Sequence, residues 1–156
     1  MNTARSMAGS RKSDAVLARA ERLCRQKNLR FTPMRRRVLR ELSRSAAPLT
    51  AYDLADLVRD EKRIAPVTVY RALDFLLEHK LVHRIAIRNA YMACDHAPHD
   101  DRPALFLVCA LCGQVSELPS DKFEHDLQDA IAGVGFKPMS RVLEVEGECA
   151  VCQAGK

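Results

Sequence analysis

The chain has 156 residues, 47% of them hydrophobic and 29% charged, which is enough for one generous domain or two small ones with a buried core. It contains no run of about 18 apolar residues, and its first 15 residues lack the apolar segment of an export signal, so the expectation is a cytoplasmic chain with no membrane partner. The net charge of +5 is unevenly divided: residues 1–84 hold 19 Lys/Arg against 9 Asp/Glu, and residues 85–156 hold 6 against 11. A basic half of this kind either meets a polyanion or is a solvated surface, and charge alone does not separate the two.

Residues 1–13 carry Ser, Arg and small side chains without periodicity and read as a flexible basic arm. Val16, Leu17, Ala20 and Cys24 then form a helical stripe over 15–28, with Cys24 as a core residue. Thr32-Pro33 is a helix start, Thr as cap and Pro in the first turn, for a helix to about Ser45 that carries Arg35, Arg36, Arg37, Arg40 and Arg44 around Val38, Leu39 and Leu42. Thr50 with Asp53 three positions on opens a further helix to about Lys62, and Pro66 precedes Val67-Thr68, which opens another.

On that last helix Val69, Ala72, Leu73, Leu76 and Leu77 share one face, while Arg71, Asp74 and Glu78 share the other with Tyr70 at its edge. A helix that buries one side and shows Tyr and Arg near its N-terminus meets the needs of a recognition helix. Two alternating runs follow, 81–87 and 90–94, parted by Arg88-Asn89 as a turn. The pattern fits a winged helix-turn-helix, and equally an ordinary three-helix core with a hairpin.

From Asp95 to Pro103 the polar, proline-bearing stretch reads as a hinge. Beyond it the pattern predicts a strand over 104–108, a second over 114–118, a helix capped by Ser120-Asp121 that ends near Gly133 to Gly135, and a third strand over 141–146. The fold class expected is therefore α+β, with an N-terminal domain of helices and a hairpin over 14–94, winged-helix or an ordinary three-helix core, and a small C-terminal α/β domain over 104–156.

Two CxxC knuckles, Cys109/Cys112 and Cys149/Cys152, bracket that second domain, and Gly113 closes the first. Together they can deliver four thiolates to one tetrahedral zinc. A redox CxxC needs only one pair, and disulfides suit a cytosolic chain poorly, so a structural zinc explains the duplication best. Four-cysteine zinc sites are closed to substrate, no HxE precedes a PCxxC, and no nucleophile motif is present, so the chain does not read as an enzyme.

In this order LRFTPMRRRVL, the AYDLADLV helix, PVTVYRALDFLLE and the paired knuckles resemble the ferric uptake regulator family of bacterial metal-sensing repressors, over about residues 15 to 152. The AYDL helix, the TVYRALDFLLE string, the placement of His83 and Cys94 and the GECAVC ending look most like its zinc uptake regulator branch. The resemblance implies a homodimer, joined through an intermolecular sheet of the C-terminal dimerisation domain, that binds palindromic double-stranded operator DNA when zinc-loaded and switches off zinc uptake genes. The alternative is a sister regulator sensing iron, manganese or peroxide.

The resemblance further implies two Zn2+ per protomer. One is structural, at Cys109, Cys112, Cys149 and Cys152. The other is regulatory, at His83, Cys94, a hinge histidine and Glu117, with His99 preferred and His96 as its substitute. A nitrogen, sulfur and oxygen donor set suits zinc over ferrous iron or manganese. The chain departs from the family in lacking a histidine cluster before Cys109 and a histidine in Ala46 to Leu49, and in carrying Arg141 where the iron-sensing branch tends to have a histidine. His79 and His125 are expected to be exposed and without a ligand role. On DNA, Thr68 opens the reading helix, Tyr70 is the candidate for a base or thymine-methyl contact and Arg71 for a base edge or phosphate. Arg35, Arg36, Arg37 and the arm supply phosphate attraction. Asp56 and Arg59 on the AYDL helix either pair with each other or link two dimers on one operator.

Overall fold

The computed structural model describes residues 3–59, 64–94, 104–118, 123–139 and 142–155, with side chains from residue 13 onward. It divides into two compact units, residues 1–98 and 99–156. The expected hinge, with His96 and His99, lies outside the described residues, as do Ser120, Asp121 and Arg141.

The first unit is built from four helices, α1 (Thr3–Gln26), α2 (Pro33–Arg44), α3 (Ala51–Leu57) and α4 (Pro66–Glu78), and a hairpin of β1 (Val82–Ile85) and β2 (Ala90–Ala93). α1 corrects the expectation of a flexible arm, since it is helical from Thr3. The segment lacks proline and sets Ala4, Arg5, Met7, Ala8, Arg11 and Lys12 beside Gly9 and the serines, so a helix anchored by Val16, Leu17 and Ala20 extends outward through it. Asn28 ends it in a left-handed conformation (φ 51°), and the Leu29 N–H donates to the Cys24 carbonyl at 2.8 Å.

Thr32 caps α2 by accepting from the Arg35 N–H at 3.4 Å, with Pro33 in the first turn. Thr50 and Asp53 form a reciprocal capping box on α3. α3 stops at Leu57, short of the expected Lys62; Val58 closes it, and residues 60–63 are outside the described set. Val38, Leu39 and Leu42 of α2, Leu54 of α3 and Val69, Ala72, Leu73, Phe75 and Leu76 of α4 close on Val16, Leu17, Ala20 and Cys24 of α1 in one core. Cys24 is a core thiol, and burial pushes its pKa up, with Arg35 opposing.

The hairpin is shorter than its alternating pattern. Ala86–Arg88 forms one 3-10 turn and Asn89 takes a left-handed conformation, so Ile87 belongs to the connection rather than the strand. The register pairs Val82 with Ala93, His83 with Met92 and Arg84 with Tyr91. Leu49, before α3, adds a third strand position by exchanging both backbone hydrogen bonds with Tyr91 at 2.8 and 2.9 Å.

The second unit is a three-stranded sheet in the order β4-β3-β5, followed by a short helix. β3 (Ala104–Cys109) runs antiparallel to β4 (Val115–Leu118) and parallel to β5 (Val142–Gly147). α5 (Glu124–Gly133) connects β4 to β5, and α6 (Ala150–Ala154) follows β5. Because side chains alternate across a sheet, Phe106, Val108, Val115, Glu117 and Glu144 share one face, and Leu105, Leu107, Leu118, Leu143 and Val145 share the other. Phe106, Val108 and Val115 are buried, whereas Leu107, Leu118 and Val145 stay exposed.

Candidate metal centre and nucleic-acid interface

The two knuckles bring their cysteines together by different local means. β3 ends at Cys109, and the chain turns through Ala110 to Gly113, where the Gly113 N–H donates to the Cys109 carbonyl at 3.0 Å. Gly113 has φ +74°, a backbone conformation that a side chain would strain, which is why glycine closes this turn. At the second knuckle Cys149 is the N-cap of α6 and Cys152 lies three positions on, so one turn of helix places both thiols on the same side. The Ala110 N–H donates to the Gly147 carbonyl at 2.8 Å and fixes one knuckle against the other.

The four Sγ atoms lie within 4.8 Å of one another, with Cys109 3.9 Å from Cys152 and Cys112 3.7 Å from Cys149. Tetrahedral zinc with Zn–S bonds of about 2.3 Å spaces its sulfurs by about 3.8 Å, so the quartet fits that ion. The electrostatics agree. Backbone N–H groups of Cys112 and then Cys149 hold the Cys109 thiol down to about 6, while the thiols of Cys149 and Cys112 push Cys152 up to about 12. Four thiols this close cannot all ionise on their own, and a bound dication removes the conflict.

The residues expected at the regulatory site fall into both units. His83 on β1 is half-buried, and Cys94, which follows β2, is 6% exposed. The Cys94 N–H donates to the Leu81 carbonyl at 3.0 Å, and the His83–Met92 pair lies two positions further along the ladder, so His83 and Cys94 project from the same face of the hairpin. Glu117 is half-buried on β4, paired with Phe106.

α4 presents Val67, Tyr70, Arg71, Asp74 and Glu78 outward, with Tyr70 39% exposed and Thr68 half-buried in its first turn. Several of the α2 arginines have partners inside the unit, Arg44 with Glu41 at 3.6 Å among them. The Arg35 guanidinium lies 3.5 Å over the Phe75 ring and donates to the Arg30 carbonyl, and Arg36 forms an ion pair with Glu21. Arg37, on the same turn, is half-buried. His79 is not free on the surface: it ends α4 with its ring edge-on to Phe75, centroids 4.4 Å apart. His125 is exposed on α5, 3.4 Å from Asp129, and Asp56 and Arg59 are an exposed pair at 3.9 Å.

Two residues at this surface have no motif to announce them. Tyr91 is buried on β2, where burial pushes its phenol up; Arg84 opposes that shift, and Tyr70 and Asp74 of α4 add to it, so Tyr91 sits where the hairpin and α4 meet. Arg19 of α1 donates from Nη2 to the carbonyl of Cys94. Alternation marks Tyr91 as inward-facing, but nothing local marks Arg19, because its partner is 75 positions away.

The chain matches the ferric uptake regulator family over residues 26–146. It is 40% identical over 138 residues, 88% of this chain and 81% of the other, to the zinc uptake regulation protein of Escherichia coli strain K12. It is similar in structure to a zinc uptake regulator complexed with zinc and DNA, with TM-score 0.84, 38% identity, and coverage of 92% of this chain and 96% of that one. Holo XcZur is similar at TM-score 0.80 and 39% identity, covering 91% and 99%. No described helix is long and apolar enough to cross a membrane. From its N-terminal helices and hairpin wing, its C-terminal sheet and its four-cysteine cluster, together with these likenesses, the chain belongs to the ferric uptake regulator family, a family of transcription regulators rather than enzymes.

Proposed function

We propose that this chain is a cytoplasmic, zinc-responsive transcriptional repressor, which binds palindromic operator DNA as a zinc-loaded homodimer and switches off zinc uptake genes. One observation carries the reading: a single unit holds both the outward stripe of Tyr70 and Arg71 and a hairpin that offers a histidine and a buried thiol from one face. The similarity to a zinc uptake regulator complexed with zinc and DNA supports it.

Cys109, Cys112, Cys149 and Cys152 hold a permanent structural zinc. His83, Cys94, a hinge histidine, His99 before His96, and Glu117 hold an exchangeable one. When bound, Zn2+ supplies a tetrahedral cross-link among four thiolates at the first site and joins ligands from the two units at the second. Since His83 and Cys94 belong to one unit and Glu117 to the other, an arrangement that satisfies all of them is favoured by the difference in affinity, and that arrangement presents α4 to DNA. Thr68, Tyr70 and Arg71 then read base edges, Tyr70 through a thymine methyl and Arg71 through a purine edge or phosphate. Arg35, Arg36, Arg37 and the basic N-terminal end of α1 supply phosphate attraction, with Arg35 and Arg36 also holding α2 through Phe75 and Glu21.

The exposed apolar face of Leu107, Leu118 and Val145, beside β5 as an open sheet edge, supports pairing with a second copy through residues 104–156. Asp56 and Arg59 pair with each other on the surface, and the same exposed charges would serve to link two dimers on one operator. The domain scheme proposed is a reading domain over 14–94, a hinge over 95–103 and a dimerisation domain over 104–156.

The test uses duplexes selected from a random library by the zinc-loaded protein, titrated against buffered free zinc and ferrous iron with bound metal counted. Binding that follows zinc, with two zinc per protomer, is expected. Binding that follows ferrous iron assigns the chain to a sister sensor. A Cys94→Ser protein with unchanged zinc dependence overturns the ligand set.

A further inference from the structure

α1 stands outside the α3–α4 pair and the wing, yet three of its polar side chains reach across the unit. Ser13 shares a buried 2.7 Å hydrogen bond with Ser43 near the end of α2, and Glu21 pairs with Arg36 nearer its start. Between them Arg19 donates from Nη2 to the backbone carbonyl of Cys94. The first two contacts fasten α1 along α2. The third joins that pair of helices to the end of the wing.

Cys94 is held from both sides. Its N–H is bound to the Leu81 carbonyl and its own carbonyl accepts the Arg19 guanidinium, so the folded unit satisfies both backbone groups of the residue. The direction in which the thiol leaves the backbone is therefore set before any metal arrives. Without the guanidinium, a carbonyl at a buried residue loses its donor, and the strand end loses an anchor where the chain departs from the hairpin. Partners that orient a ligating group typically change metal affinity by about 10- to 100-fold without touching the metal, and Arg19 exerts that control through the ligand's backbone.

We propose that Arg19 is a positioning residue for the exchangeable metal, holding Cys94 in ligating position and linking metal occupancy to the packing of α1 on α2. The proposal rests on the reading of Cys94 as a ligand. Arg19 acts through the Cys94 carbonyl and is not itself a ligand, since a guanidinium is a donor with no acceptor to offer a metal. Linkage is reciprocal, so metal at Cys94 tightens α1 on α2, and whatever tightens that packing raises metal affinity. A guanidinium suits the task because it directs several donors in one plane, whereas lysine offers a single flexible charge.

The test compares full-length wild type with Arg19→Ala, Arg19→Gln, Arg19→Lys and Cys94→Ser. Exchangeable-zinc affinity is measured by chelator competition, total zinc is counted, and amide exchange is followed on protein carrying the structural zinc alone. Arg19→Ala is expected to weaken the exchangeable zinc by about tenfold or more and keep one tightly held zinc per protomer. Its amide exchange quickens at the wing end, residues 81–94, and DNA binding returns at saturating zinc. Arg19→Gln and Arg19→Lys, which keep a donor, recover part of the loss and carry the test if the alanine protein does not fold. Unchanged zinc affinity in Arg19→Ala, with Cys94→Ser impaired, overturns the proposal and leaves the ligand reading standing. Equal loss in all three Arg19 variants, with exchange quickened throughout the first unit, also overturns it. Unchanged affinity in Cys94→Ser removes the ligand reading, and the proposal with it.

Discussion

The two units keep their apolar residues from water on different terms. In the first, all four helices and the hairpin contribute to one core, in which Val38, Leu39, Leu54, Leu73, Leu76 and Leu81 are almost completely buried. In the second, the buried residues among those described are Phe106, Val108, Cys109 and Val115, while Val134, Phe136 and Met139 beyond α5 are open and one face of the sheet is uncovered. A unit of this size and burial is near the lower limit of independent stability. The first unit therefore draws its stability from its own side chains, whereas in the function proposed above the second relies on a zinc cross-link at one end of its sheet and on a second copy against its open face.

The two units should differ most sharply when the four-cysteine cluster is disrupted. Stripping the metal, or Cys112→Ser, is expected to unfold residues 104–156 and abolish self-association, because structural zinc in small units contributes on the order of 10 kcal/mol of folding free energy. The first unit keeps its helical circular dichroism and its thermal transition. A stable Cys112→Ser protein with wild-type zinc content and oligomeric state contradicts the division. The converse substitution is Leu39→Ala, which empties a fully buried site in α2 and is expected to cost about 3 kcal/mol. Denaturant titration should lower the midpoint of the first unit alone, with the four-cysteine zinc still bound.

How much of this could be read from residues differs between the halves for the same physical reason. Short-range chemistry is legible: Thr32-Pro33 and the Thr50/Asp53 box start α2 and α3 where the pattern places them, and the outward and inward faces of α4 follow its 3.6-residue period. The cysteine quartet is legible because zinc tolerates few ligand spacings, and its sulfurs converge as the spacing implies. Other features carry no such local signal. α1 begins at Thr3 without an apolar stripe to announce it, and Ile87 leaves the strand for a tight turn although its alternation continues. The five residues of α6 are too few to show a period. The Leu49–Tyr91 bridge and the Arg19–Cys94 contact join residues 42 and 75 positions apart, beyond any local rule.

A third substitution sharpens the comparison on the DNA side. Arg71 is exposed on α4 and lies outside the core, so Arg71→Ala is expected to leave both units' stability unchanged and to weaken specific operator binding by about 2 kcal/mol. Neutralising Arg5, Arg11 and Lys12 together should weaken specific and nonspecific duplexes alike and flatten the salt dependence. Gel-shift titrations at one fixed salt concentration rank the two, and the opposite ranking contradicts the assignment of α4 as the reading helix.

The smallest effect expected is a cap, and it reports on the first unit alone. Thr50→Ala removes the hydroxyl that accepts from the Asp53 N–H at 3.1 Å and donates to the Asp53 carboxylate at 2.7 Å, at a cost of about 1 kcal/mol. The Thr50 side chain first, and its backbone N–H second, hold the Asp53 carboxyl below the usual carboxylate range. With the folded pKa below the unfolded one, the stability this carboxylate contributes is fully present above about pH 4 and is lost as pH falls through the folded pKa. The difference in stability between wild type and Thr50→Ala should therefore be constant from neutral pH down to about pH 5 and shrink below pH 4. Its shrinking appears in the melting of the first unit, since both partners of the cap lie there. Constancy of the difference down to about pH 2 would place the loss in the Thr50 hydroxyl alone and remove Asp53 from the box.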